Sequence, residues 1–264
     1  MRGHSWLEKL RGALPALALL GGLAALWLCL ALPYLFRPQA VTADSAEPGA
    51  VPAPSFPSSV NGEEVKLIAL TFDDGPRRST TTALLDGLAE RGVRATFFLI
   101  GAQIPGNEDL IRRMDNEGHQ IGIHTYDHVQ LTDLNRADFD AQVEKTRALL
   151  KEVLGHNDFL LRPPYGLLDE SVKAWAGCPI ILWSIDPEDW DDKNADREVA
   201  EIVEQARDGS IILMHDIYPQ SVEAALRVVD RLHEQGYLFC TIDDLFAARG
   251  ITLQAGESYW NAYP

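Results

Sequence analysis

The chain has 264 residues, of which 46% are hydrophobic, and its formal net charge is −16. This length and composition suit one large globular domain or two small ones, and they exclude a disordered chain. The acidic charge argues against a nucleic-acid partner, because phosphate binding requires clustered Lys and Arg.

The first predicted element is a membrane-spanning helix at residues 13–36, where no side chain is charged. A helix of this length extends roughly 36 Å, which is enough to cross a bilayer core with some tilt. Arg2, Lys9 and Arg11 precede it. The positive-inside rule therefore predicts that residues 1–12 are cytoplasmic and that the rest of the chain lies on the extracellular side of the cell membrane.

The apolar run at residues 13–36 has a second interpretation, as a cleaved signal peptide. Val41-Thr42-Ala43 has the small-residue pattern of a signal-peptide cleavage site, so secretion after cleavage near Ala43 is the alternative to a single-pass anchor. The apolar run is longer than the usual core of a signal peptide, which favours the anchor. Residues 37–63 are mostly Pro, Ala, Ser, Val and Gly without periodicity, and they are predicted to form a disordered linker.

From Val65 onward, short apolar runs alternate with helical patterns, and this alternation indicates an α/β fold with a parallel sheet. The predicted catalytic domain covers residues 64–250, and residues 251–264 are predicted to be a C-terminal tail. The predicted strands are 66–72, 95–100, 120–123, 159–161, 180–183, 210–214 and 237–241, and the predicted helices are 80–91, 108–117, 136–154, 170–176, 196–207 and 221–235.

Periodicity does not distinguish a closed barrel from an open, doubly wound sheet. Polar residues follow most of the predicted strands, and a site that draws on so many strands is easier to build around the mouth of a barrel. The three cysteines cannot all pair. Cys29 lies in the apolar run, and Cys178 and Cys240 are predicted to be free buried thiols, with a disulfide between them as the alternative.

Two segments resemble the halves of one metal site. Asp73 and Asp74 lie in Thr71–Pro76, and His124 and His128 follow about fifty residues later. A zinc-like divalent ion binds a small set of His nitrogens and carboxylate oxygens and keeps an open position for water. We predict that Asp74, His124 and His128 are the ligands and that Asp73 is the base beside the water.

Residues 162–166, with the sequence Arg-Pro-Pro-Tyr-Gly, predict a rigid turn, because two prolines fix their φ angles. Arg162 is expected to pair with Asp73, and the backbone N–H of Tyr165 is expected to face a developing oxyanion. The alternative is a structural turn that carries a surface arginine.

His215 ends a buried run, and a segment with a carboxylate and two indoles, Trp183 to Trp190, precedes it. A carboxylate bonded to one ring nitrogen of His215 would raise its pKa and fix its tautomer, which suits a proton donor to a leaving group. Trp183 and Trp190 are either core residues or the wall of a groove. Trp190 is the better candidate for the groove, because it follows the predicted strand.

In combination, these motifs resemble those of the polysaccharide deacetylase family, which is carbohydrate esterase family four, from about Val65 to Ala248. The resemblance implies a distorted (β/α)7 barrel that hydrolyses N-acetyl, and sometimes O-acetyl, groups on extracellular carbohydrate. The motifs that carry it are Thr71–Pro76, His124–His128, Arg162–Gly166, Asp189-Trp190 and Leu213–Asp216.

The resemblance also implies a role for each site residue. One divalent ion is implied, with zinc first and cobalt, nickel or manganese as alternatives. The implied ligands are Asp74, His124 and His128. The implied base is Asp73, held by Arg162, and the implied acid is His215, held by Asp189. The Tyr165 N–H is implied to bind the oxyanion, and the implied substrate contacts are Pro163, Tyr165, Trp190 and Leu213.

For an enzyme anchored outside a bacterial-type membrane, the nearest N-acetylated polymer is peptidoglycan, and its N-acetylglucosamine is the expected substrate. An O-acetyl xylan esterase and an inactive glycan-binding protein are the alternatives. A phosphoester hydrolase is disfavoured, because it should carry more basic residues near the metal than Arg162 alone. No protein partner is implied.

Overall fold

The computed structural model describes residues 56–57, 59–60 and 63–264 of the chain. The predicted membrane helix at 13–36, Cys29 and most of the predicted linker lie outside this described part. Among the residues that are described, no helix is both long enough and apolar enough to cross a bilayer.

The described part is an α/β fold built on a curled, eight-stranded sheet in which every pairing is parallel. The strands are β1 (Ser59–Val60), β2 (Glu63–Glu64), β3 (Lys66–Asp73), β4 (Thr96–Leu99), β5 (Gln120–Ile123), β6 (Leu160–Leu161), β7 (Ile180–Ile181), β8 (Ile211–His215), β9 (Tyr237–Cys240) and β10 (Ser258–Tyr259). The helices are α1 (Arg78–Glu90), α2 (Glu108–Asn116), α3 (Arg136–Leu154), α4 (Glu170–Trp175), α5 (Ala195–Gln205), α6 (Pro219–Glu234) and α7 (Ile242–Ala248).

The order of strands in the sheet is β10-β7-β6-β5-β4-β3-β8, and β9 pairs with the first half of β3. β1 and β2 form a separate antiparallel pair. The ends of the sheet approach each other, because the chain after β7 hydrogen-bonds to β8. The Ser184 N–H donates to the Ile211 carbonyl, and the Leu213 N–H donates to the Ile185 carbonyl, each at 3.0 Å.

β3 lies at the centre of the sheet and is buried along almost its whole length. Successive side chains of a strand point to opposite faces. Ile68, Leu70 and Phe72 join the larger apolar core with the helices, whereas Leu67 and Ala69 join a second core inside the curl. By the same alternation, Thr71 and Asp73 lie on the inner face, and this places the Asp73 carboxylate inside the curl at its carboxyl end.

The predicted strands and helices are all present, with bounds that differ by at most two residues. α3 has the predicted bounds, because the Asn135 side chain accepts a hydrogen bond from the Asp138 N–H at its start and Gly155 ends it in the left-handed conformation (φ 82°). Gly155 suits this place because a side chain is unfavourable at positive φ.

Three short elements were absent from the prediction: the β1–β2 pair, α7 and β10. Residues 251–264, predicted to be a tail, supply β10, which extends the sheet beyond β7. Cys178 and Cys240 are both buried and free, which confirms the prediction of unpaired thiols.

Candidate metal centre and catalytic cavity

A cavity of about 420 Å³ lies at the carboxyl ends of the strands. The predicted metal ligands, the predicted base and the predicted acid all line it. A larger cavity, of about 700 Å³ and including Cys178 in its wall, contains none of these residues. The chemistry of the side chains, and not the size of the cavity, therefore identifies the candidate site.

Three side chains in this cavity form a cluster that suits one metal ion. The ligand atoms of Asp74, His124 and His128 all lie within 4.8 Å of one another. Asp74 Oδ1 is 3.6 Å from His124 Nε2 and 3.4 Å from His128 Nε2. Two imidazoles and one carboxylate are a donor set for zinc-like ions that leaves positions for water or substrate.

The hydrogen bonds around the cluster fit an ion at this place. His124 Nδ1 is 2.7 Å from the Arg162 carbonyl oxygen, which can only accept a hydrogen bond, so Nδ1 carries the proton and Nε2 keeps a lone pair for the ion. Burial lowers the pKa of His124 against the opposing charges of Asp73 and Asp74, and this favours the neutral ring that a metal requires. Asp74 Oδ1 is buried and has no hydrogen-bond partner among the described residues. A cation would satisfy it.

The backbone is bent sharply at the predicted ligands. Asp74 has a φ of 72° and His128 a φ of 58°, both in the left-handed region that residues with side chains seldom adopt. Tyr165, which also lines the cavity, has a φ of 63°, and its ring packs edge-on against His128 with 5.0 Å between centroids. Such strain is typical of functional sites, where surrounding packing holds side chains in place.

Arg162 holds Asp73 from behind the cavity, as the sequence predicts. Its side chain is fully buried, and Nη1 donates to Asp73 Oδ1 at 2.8 Å and to Thr71 Oγ1 at 2.7 Å. The other guanidinium nitrogens donate to the carbonyls of Ile181 and Leu182. The second carboxylate oxygen, Asp73 Oδ2, lies 3.7 Å from His124 Nε2, so it faces the place of the ion.

A buried guanidinium requires a full set of partners, because moving a charged group out of water costs several kcal/mol. Arg162 has them, and its guanidinium also lies 4.1 Å from the centre of the Phe98 ring. Burial lowers the pKa of Arg162, and the Asp73 carboxylate opposes this shift. The alternative of a surface arginine in a structural turn is therefore wrong.

Asp189 holds His215 with both of its oxygens. Oδ1 is 2.7 Å from His215 Nδ1, and Oδ2 accepts the His215 backbone N–H at 2.8 Å. Burial alone would lower the pKa of His215, but the hydrogen bond and charge of Asp189, together with Asp73 and Asp74, raise it to about 9. The ring is therefore protonated at neutral pH, with Nδ1 directed at Asp189 and Nε2 left to donate a proton.

The predicted substrate contacts divide into two groups. Tyr165, Trp190 and Leu213 line the cavity. Tyr165 is 63% exposed and Trp190 is 50% exposed. Pro163 is buried and is not among the lining residues. Its carbonyl accepts the Gly166 N–H, so it shapes the turn and does not form the wall.

Sequence reasoning assigned no role to two residues that the fold brings to the site, Asp186 and Asp216. Asp186 lines the cavity, and so does Trp183, which the sequence offered as either a core residue or the wall of a groove. Asp216 is fully buried directly under Gly75, and Thr81 Oγ1 donates to it. Its position after His215 was visible in the sequence, but its contact with the loop that carries Asp74 was not.

Comparisons with known proteins agree with this geometry. Residues 61–177 match a family model described as polysaccharide deacetylase. The chain is 41% identical over 212 residues to the peptidoglycan-N-acetylglucosamine deacetylase PgdA of Listeria monocytogenes, covering 78% of this chain and 45% of that protein. It is 37% identical over 195 residues to the chitooligosaccharide deacetylase of Sinorhizobium fredii, covering 67% of this chain and 91% of that protein. The chain therefore spans less than half the length of the Listeria protein.

The fold is also similar to a solved structure, a family 4 acetyl xylan esterase from Clostridium thermocellum in complex with a cobalt ion. The TM-score is 0.72 at 29% sequence identity, and the match covers 75% of this chain and 99% of that one. The similarity thus extends over essentially the whole of the other domain.

Proposed function

The chain belongs to the polysaccharide deacetylase family, and we propose that it is a metal-dependent hydrolase that removes N-acetyl groups from an extracellular polysaccharide. One observation carries the proposal. The ligand atoms of Asp74, His124 and His128 cluster within 4.8 Å, in the same cavity as Asp73 and His215.

A divalent ion bound by these three residues would lower the pKa of a water and polarise an acetyl carbonyl. Zinc suits two imidazoles and a carboxylate, and cobalt, nickel or manganese are alternatives. The related acetyl xylan esterase is described with cobalt.

The protein's own residues supply the proton transfers. Asp73, oriented by Arg162, accepts a proton from the attacking water through its free oxygen. The backbone N–H of Tyr165 donates to the carbonyl oxygen as negative charge develops there. His215, protonated and held by Asp189, donates a proton to the departing sugar nitrogen, so that acetate and a free amine are released.

Peptidoglycan is the proposed polymer, and its N-acetylglucosamine the proposed sugar. The proposal is supported by the Listeria relative, which is named for this substrate, and by the predicted anchor at residues 13–36. The anchor would place the catalytic domain on the extracellular side of the cell membrane. We also propose that the curled sheet is the distorted (β/α)7 barrel that the family resemblance implies.

A second function, O-acetyl esterase activity on xylan, is favoured by the match to the acetyl xylan esterase fold. The same residues would catalyse this reaction, because ester and amide hydrolysis pass through the same kind of oxyanion. The two activities differ in the leaving group: an amine needs the proton from His215 more than an alcohol does.

Acetate release by the full-length chain, purified in mild detergent and loaded with zinc, tests the proposal. We expect release from purified peptidoglycan, loss of release after chelation of the metal, and recovery when zinc is restored. Asp192→Asn, at an exposed carboxylate paired with Arg197, serves as the control variant. Release from acetylated xylan without release from peptidoglycan would reverse the substrate assignment.

A further inference from the structure

The two histidines of the metal cluster lie at the ends of one short loop. His124 directly follows β5, and His128 comes four residues later. Within this span Thr125 has a φ of 62° and His128 a φ of 58°, so two residues that carry a Cβ adopt the left-handed region. Such a backbone costs free energy at each of these positions. The loop therefore needs contacts from other parts of the chain to keep both imidazoles directed at one place.

One side of the loop is held by the turn after β4. The Gly101 N–H donates to the Thr125 carbonyl, and the Ala102 N–H donates to the Tyr126 carbonyl, both at 2.9 Å. Glycine suits position 101, because an added Cβ would lie 2.6 Å from the Tyr126 ring and 3.1 Å from its Cα. These bonds use carbonyls of the loop and leave its N–H groups for another partner.

The other side of the loop is held by the side chain of Gln142, in α3. Its Oε1 accepts the Tyr126 N–H and the Asp127 N–H, each at 3.0 Å. Its Nε2 donates to Asp127 Oδ2 at 3.3 Å. Because both N–H groups meet the same oxygen, the orientation of the amide is fixed. Gln142 thus binds two consecutive backbone N–H groups that lie between the two histidines.

α3 supports this contact from the core. Val143, next to Gln142, and Thr146, one turn after it, are both buried. Lys145 lies on the same face of the helix as Gln142, and its Nζ is 3.2 Å from the centre of the Tyr126 ring. The packing of the helix therefore fixes the position of Gln142, and through it the position of the loop.

We propose that Gln142 is a positioning residue for the metal centre, which sets the affinity for the ion by holding the loop in the conformation that brings His124 and His128 together. The inference rests on the proposed function, and it assigns this role to a residue outside both the ligand cluster and the walls of the catalytic cavity. Without its hydrogen bonds the loop relaxes in the metal-free protein, and only a fraction of the molecules presents both imidazoles at once. The apparent Kd for zinc rises in inverse proportion to that fraction.

The polarity of the contact provides the test. Gln142→Leu removes both the acceptor and the donor. Gln142→Glu keeps an acceptor for the two N–H groups but sets a second carboxylate against Asp127. When Asp127→Asn is added to Gln142→Glu, the new amide donates to the new carboxylate, and the contact is restored with its polarity reversed. Gln205→Leu, at an exposed helical glutamine whose amide donates to Glu201, is the matched control.

The measurements use the full-length chain in mild detergent after its metal has been removed. Competition with a chelator gives the Kd for zinc, and hydrogen exchange followed by mass spectrometry reports how often residues 124–128 open in the metal-free chain. Thermal unfolding establishes that each variant is folded. Acetate release from peptidoglycan is then compared at limiting and at saturating zinc.

We expect Gln142→Leu to weaken zinc binding about tenfold or more, which is the effect typical of losing a group that orients metal ligands. Exchange of the loop amides should rise with it. Gln142→Glu should also weaken binding, and the added Asp127→Asn should recover most of the loss, whereas Gln205→Leu should match the wild-type chain. Saturating zinc should restore most of the kcat of Gln142→Leu, because the bound ion itself then holds the two histidines together.

Two results would overturn the inference: an unchanged Kd with unchanged loop exchange in Gln142→Leu, or a double variant that binds zinc no better than Gln142→Glu alone. If Gln142→Leu does not fold, the comparison of Gln142→Glu with the double variant decides. Failure of the proposed function has a different signature. If zinc affinity depends on Gln142 but the wild-type chain releases no acetate, the positioning role stands and the deacetylase assignment falls.

Discussion

Replacing Asp189 by asparagine tests the proposed proton donor directly. Asp189 binds both the ring and the backbone of His215. Asparagine has nearly the same shape but no charge, and its single carbonyl oxygen can accept from only one of these two groups. If that oxygen keeps the backbone N–H, the amide nitrogen faces His215 Nδ1 and donates to it. The ring is then favoured in its neutral form, with the proton on Nε2.

The size of the effect follows from the pKa of His215. It is raised to about 9 in the native chain, and the largest opposing influence is burial, which lowers it. Without the Asp189 charge, we expect the pKa to fall to the ordinary value of 6.5 or below. At pH 8 the protonated fraction would then drop from about 90% to about 3%, a loss of roughly thirtyfold. At pH 5.5 His215 would be mostly protonated in both proteins, and the difference in activity would nearly vanish.

The assay is kcat for acetate release across pH 5 to 10, alongside the His215 ring resonances followed by NMR. We expect the basic limb of the profile to move toward acid by two units or more in Asp189→Asn. Asp192→Asn, at an exposed carboxylate, controls for loss of one negative charge and should leave the limb in place. A variant profile that is lowered evenly at every pH would refute the role of His215 as the acid.

Three further predictions concern the ligands, the loop and the pH dependence of stability. Asp73→Asn should abolish turnover while zinc still binds, because Asp73 is the base and not a ligand. His124→Ala should lose both turnover and bound zinc, because His124 is a ligand. Acetate release measures the turnover, and elemental analysis measures the zinc. Gly75→Ala should lower the free energy of unfolding by about 1 to 3 kcal/mol in urea titrations, because the added Cβ would lie 2.5 Å from Asp216 Oδ1. The melting temperature should fall between pH 6.5 and 9, because the folded pKa of His215 lies above its ordinary value, so the stabilisation is complete below pH 6.5 and is lost as pH rises through about 9.

Each of these has an outcome that contradicts it. Retained turnover in Asp73→Asn would mean that another group is the base, and retained zinc in His124→Ala would remove His124 from the ligand set. An unchanged unfolding free energy in Gly75→Ala would show that the loop shifts without cost. The pH dependence of the melting temperature should be absent from Asp189→Asn, and its persistence there would assign it to other groups.

Local sequence patterns predicted the regular elements well. α3 has its predicted bounds because both of its ends are set by short-range features, the Asn135 cap and Gly155. α7 was missed because it follows β9 after the single residue Thr241, and its Ile242, Leu245 and Phe246 pack against the core inside the curled sheet. β10 was missed because Ser258 and Tyr259 do not form an apolar run, and they become a strand only by pairing with β7.

The amino-acid sequence alone identifies the chemical groups that are available: adjacent carboxylates at Asp73 and Asp74, two histidines four residues apart, and an arginine in a rigid turn. How these groups face one another is set by the fold. Arg162 meets Asp73 across 89 positions of sequence, and the Arg162 carbonyl selects the ring nitrogen of His124 that is left for an ion. Residue type and local spacing set what a side chain can bind. Its partners depend on contacts between distant parts of the chain, which form only when the sheet curls and buries them together.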